Sequence, residues 1–97
     1  MSETRPVYLP TACFCHDEKE YLINFELPGV DKDHIEVHVS EQSLCVTGSR
    51  DDAELAGCYT LAHEVDADKA EAKYENGLLR LRLPLKEPAE GKKIEIQ

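Results

Sequence analysis

The chain has 97 residues, 41% of them apolar and 32% charged, with a formal net charge of -9. That length holds one core rather than two, and the apolar share is enough to build it, which excludes wholesale disorder. The acidic balance, with no basic cluster, argues against nucleic acid and anionic membranes as partners and favours solubility.

No run approaches a membrane span, and MSETRPVYLP lacks the apolar stretch of a secretory signal, so a cytoplasmic location is expected. The four cysteines are then expected as reduced thiols. Their even number does not by itself set a disulfide pairing.

Met1 to Pro10 carries two prolines and no periodicity, and reads as a loose arm. Thr11 to His16 reads as a short strand, with Cys13 and Cys15 on one side and Phe14 on the other. Asp17-Glu18-Lys19 is a charged turn. From Glu20 to Leu27 the chain alternates, so Tyr21, Ile23, Phe25 and Leu27 share a face. Leu27-Pro28-Gly29-Val30 closes this strand, since Pro28 presets φ and Gly29 permits a turn. Asp31 to Asp33 continues the loop.

Ile35, Val37 and Val39 form the next inward face, opposite His34, Glu36 and His38. After a turn at Ser40 to Ser43, Leu44 and Val46 mark a strand that ends near Gly48. Arg50 to Glu54 is a polar connection. Leu55, Tyr59 and Leu61 mark a weaker strand that contains Gly57. Val65 to Asp68 reads as a loop. Lys69 to Glu75 has good helix formers, but its place just before a hairpin turn favours an extended segment.

That turn is Asn76-Gly77, whose residues tolerate positive φ. Beyond it Leu79, Leu81 and Leu83 alternate with Arg80 and Arg82, and Pro84 ends the ladder. Such a hairpin cannot stand alone in water and needs a second apolar sheet over its leucine face. Glu87 to Lys93 is a charged linker, and Ile94-Glu95-Ile96 a short closing strand. The whole reads as all-β: an antiparallel, immunoglobulin-like β-sandwich of seven or eight short strands. The expected divisions are an arm over 1–10, a sandwich over 11–86 and an extension over 87–97.

Four motifs, in order, resemble the small heat-shock protein (Hsp20) family and its α-crystallin domain. They are Leu27-Pro28-Gly29-Val30 followed by Ile35, Val37 and Val39; Leu44, Val46, Gly48 and Arg50; Ala72 with Asn76, Gly77, Leu78, Leu79, Leu83 and Pro84; and the I-x-I tail Ile94-Glu95-Ile96. The resemblance covers roughly residues 8 to 97. It implies an α-crystallin-type sandwich acting as an ATP-independent chaperone (a holdase) that binds partly unfolded clients and keeps them from aggregating. In the family, a groove between the fourth and eighth strands receives a neighbour's I-x-I tail. Carried over, Val37 and Val39 would line one wall and Ala70 and Ala72 the other, with Ile94 and Ile96 as the knobs. The plainer alternative is that the two isoleucines add a strand to their own domain.

Two departures from the family bear on assembly. The six residues Ser49 to Glu54 are too few for the strand-swapping arm that many relatives carry. A family arginine that makes contacts across a dimer interface falls at Gly57. A monomer or small dimer is therefore expected, with self-association through the C-terminal motif possible. A second functional reading, a co-chaperone-like docking module on the same fold, stays open beside the holdase.

Other constellations give only a third and weaker reading, a metal-responsive protein using the cysteines or His34 and His38. Cys13, Cys15 and His16 form a C-x-C-H cluster, but without the C-x₂-C spacing of a zinc knuckle. His34, Glu36 and His38 would share one strand face and read as a solvated surface. Cys45 and Cys58 have no Lys or Arg beside them in sequence to depress a thiol pKa. No G-x-S-x-G, P-loop or H-E-x-x-H motif is present, so no catalytic residue, metal or cofactor is expected.

Overall fold

A computed structural model describes residues 5–87 and 95–96. Its strands are β1 (Val7–Tyr8), β2 (Thr11–His16), β3 (Glu20–Glu26), β4 (Ile35–Val39), β5 (Ser43–Arg50), β6 (Ala53–Thr60), β7 (Glu71–Glu75) and β8 (Leu78–Pro84). They form two four-stranded sheets, ordered β1-β6-β5-β4 and β2-β3-β8-β7. Every pairing is antiparallel except that of β1 with β6.

The alternation read in the sequence becomes the core. Tyr21, Ile23 and Phe25 of β3 and Leu79, Leu81 and Leu83 of β8 face inward, each at most 4% exposed. Leu44 and Val46 of β5 and Leu55 of β6 meet them from the other sheet. Leu27, Val30, Leu61, Val65 and Leu85 seal the ends. No polar or charged residue is buried among the described residues. The core therefore carries no desolvation cost for a charge.

Two turns fix the register. Asn76 and Gly77 both take positive φ, 51° and 79°, as a two-residue hairpin of this twist requires. Gly29 takes φ 77° at the third position of the Leu27–Val30 turn. The turns meet where Leu27 N–H donates to the Gly77 carbonyl at 2.7 Å. The Tyr74 hydroxyl lies 2.7 Å from the carbonyls of both Leu27 and Val30, and can donate to one at a time. Tyr74→Phe removes the donor from two half-buried acceptors. It is expected to cost about 1–2 kcal/mol in a urea melt with an unchanged m-value. At the β2–β3 turn the Asp17 carboxylate accepts from the Lys19 and Glu20 amides at 2.7 and 2.9 Å. These hydrogen bonds hold its pKa below the ordinary carboxylate value.

Several expectations are corrected. The N-terminal arm is not loose throughout. β1 pairs with β6, Glu54 N–H donates to the Pro6 carbonyl at 2.9 Å, and Arg5 Nη1 donates to the Arg50 carbonyl at 2.7 Å. Neither β5 nor β6 stops where sequence placed it. β5 runs through Gly48 to Arg50 and β6 begins at Ala53, so the connection is a tight turn at Asp51-Asp52. Cys45 and Cys58 stand opposite each other in this hairpin and are joined as a disulfide, not reduced. His34 belongs to a 3₁₀ turn, Lys32–His34, rather than to β4. Its ring pairs with Asp31 at 3.9 Å while His38 pairs with Glu36 at 3.5 Å, so the three-residue face does not form. A second 3₁₀ turn occupies Ala67–Lys69, across the end of the expected loop and the first residue of the segment expected to be extended. Of the segment expected to be extended, Lys69 to Glu75, the part Glu71–Glu75 is strand β7 and Ala70 is extended, while Lys69 is held in the 3₁₀ turn.

Candidate functional site: an open margin between two edge strands

The sandwich has two long margins. On one, Phe14 of β2 packs against Tyr59 of β6 with ring centroids 4.9 Å apart. That contact sets β2 over β6 and leaves β4 and β7 as the edges of the opposite margin. Among the described residues no strand pairs with the outer side of either. Each therefore presents unpaired backbone N–H and C=O groups.

Burial falls away toward this margin. In β5, Leu44 and Val46 are at most 1% exposed. Their register partners in β4, Val39 and Val37, are only half-buried, as is Ile35. In β8, Leu79 and Leu81 are 3% exposed. Opposite them in β7, Tyr74 is half-buried and Ala72 is exposed, though both share the leucines' inward face. Ala70, just before β7, is half-buried. Small side chains on one edge and branched ones on the other thus leave inward-facing apolar surface open to a visitor. Val37, Val39, Ala70 and Ala72 belong to these two edges. The tail is different: Ile94 lies outside the described residues, and Ile96 is 99% exposed. Neither Glu95 nor Ile96 is in a strand, against the expected closing strand.

Sequence reasoning missed Tyr74, which ties edge strand β7 to the Leu27–Val30 turn. Its signal was a tyrosine two residues before Asn-Gly on the inward face. Gly57 also finds a structural reason. An added Cβ would sit 2.7 Å from the Tyr59 hydroxyl and 2.8 Å from Leu9, so glycine leaves room for both. The Tyr59 hydroxyl is buried there without a hydrogen-bond partner. That burial raises its pKa.

The model for the family described as "Hsp20/alpha crystallin family" matches residues 14–97. The chain is 31% identical to the 18 kDa antigen 2 of Mycobacterium avium, over 95% of this chain and 76% of that protein. It is 29% identical to the 18 kDa heat shock protein of Streptomyces albus G, over 96% of this chain and 76% of that one. Among solved structures, heat shock protein 16.0 from Schizosaccharomyces pombe superposes with a TM-score of 0.77 at 27% identity, covering 92% of this chain and 98% of that chain.

Proposed function

Since the chain belongs to the Hsp20/alpha crystallin family, and with it to proteins of chaperone type, we propose that it is an ATP-independent holdase that captures partly unfolded proteins along the β4–β7 margin. The observation that carries this is the falling burial across Val37, Val39, Ala70 and Ala72, positions at the margin that their own fold covers only in part. An unfolding client exposes apolar side chains and unpaired strand backbone. The margin offers a counterpart to each. Seating two isoleucine-sized side chains there would contribute roughly 3–6 kcal/mol before ordering costs, in the range of an exchangeable contact. The I-x-I tail of another copy, Ile94 and Ile96, would compete for the same surface. With only Asp51-Asp52 between β5 and β6, there is no long segment at that point to swap between copies, which favours a monomer or small dimer.

The test is light scattering from a heated client, without ATP. Near-stoichiometric suppression is expected. Val37→Asp combined with Val39→Asp, at positions that tolerate partial exposure, is expected to abolish most of it. A folded protein that leaves aggregation unchanged would contradict the holdase and favour the docking module.

A further inference from the structure

Cys13 and Cys15 are free and exposed on the outer face of β2. Their Sγ atoms lie 4.0 Å apart. Free cysteine is ordinarily among the most buried side chains, so two on one solvent face call for a reason. The residue between them holds the pair in place. Phe14 turns inward, edge-on to Phe25 at 5.8 Å and against Tyr59 at 4.9 Å. With that ring set against Phe25 and Tyr59 on the inner side, though 39% exposed at the margin, strand alternation turns both thiols outward. Pairing with β3, Cys13 to Asn24 and Cys15 to Leu22, fixes the backbone beneath them.

Geometry separates the fates open to such a pair. A strand rises about 3.3–3.4 Å per residue, so the two Cα atoms stand about 6.7 Å apart, at the outer limit for a disulfide. A disulfide there would sit at the edge of the usual Cα range. The bonded pair in this chain, Cys45 and Cys58, has Cα atoms only 4.1 Å apart. A tetrahedral zinc site needs further ligands. Among the described residues no third His, Cys, Asp or Glu completes a metal cluster. His16 points to the opposite face, its ring 5.1 Å from that of His63. What remains is a site of two thiolates and nothing else.

We propose that Cys13 and Cys15 form a two-thiolate clamp for a soft monovalent cation, copper(I). Thiolate is a ligand that selects copper(I) over harder ions. A thiolate–metal bond is about 2.3 Å, so two sulfurs around one ion lie at most about 4.6 Å apart. The observed 4.0 Å falls within that reach with no backbone movement. Binding is coordination without electron transfer. Both thiols release their protons to solvent, copper stays in its +1 state, and the clamp carries one negative charge.

The test uses the whole protein with the Cys45–Cys58 bond intact, mixed without oxygen with copper(I) held by a coloured chelating competitor. One copper per chain is expected to transfer, with a new thiolate-to-copper absorption in the ultraviolet. Cys13→Ser and Cys15→Ser are each expected to weaken retention by about 10²-fold or more, because the second thiolate binds intramolecularly only while both are present. Both sites are exposed, so the β-sheet circular dichroism of each variant should match the parent. Alkylating the two thiols in the parent should abolish transfer without any mutation. Transfer that survives either serine variant, no transfer to the folded and reduced pair, or one copper per two chains overturns the clamp.

Discussion

Replacing Phe25 with alanine is expected to remove about 3–5 kcal/mol of stability, enough to bring a domain of this size close to unfolding. Phe25 is fully buried. It packs against Phe14 of its own sheet at 5.8 Å and Tyr59 of the other at 5.6 Å, so it joins the layers where β2 lies over β6. Its loss leaves a cavity that two pleated sheets cannot collapse to fill without breaking ladder pairs. At about 4–8 °C per kcal/mol for a domain of this length, the melting temperature should fall by about 12 °C or more. A fall of only a few degrees by calorimetry would mean that the sheets are held together elsewhere.

Reducing the Cys45–Cys58 bond is expected to cost about 2–3 kcal/mol, the value for a loop of this length; the two residues are separated by 13 in sequence. The bond crosses β5 and β6, already register partners, and adds a covalent tie to the hairpin that carries Leu44, Val46 and Leu55. A urea melt with and without reductant should show the midpoint falling on reduction. A Cys45→Ser, Cys58→Ser variant should melt at the reduced position under both conditions. Coincident melts for the parent would show that the bond does not constrain the unfolded chain.

This disulfide also shows where the sequence was legible and where it was not. A turn centred on Asp51-Asp52 sets 45 opposite 58, and both side chains then share one face. Reading Arg50 to Glu54 as the connection instead shifts the centre by half a residue pair. A slip in register sends a side chain to the other face of the sheet, so the pairing stayed hidden. The alternation in β3, β4 and β8 was legible because one face of each meets apolar surface. Asn76-Gly77 and Pro28-Gly29 were legible because few residues accept their φ values. β1 was not, since two residues carry no period and their partner lies 47 positions away. His34 left its expected face because it ends the 3₁₀ turn Lys32–His34, with its N–H donating to the Asp31 carbonyl at 2.9 Å. At the margin, sequence marked Val37, Val39, Ala70 and Ala72 only by resemblance. How far each is covered depends on where two sheets end over one another, which no single strand's pattern encodes.

Residue-resolved NMR during titration with a permanently unfolded client tests the capture surface most directly. The account predicts amide shifts concentrated in β4 and around Ala70 to Tyr74, reversed by an I-x-I peptide. Shifts confined to the outer face of either sheet, or none while aggregation is still suppressed, would contradict it.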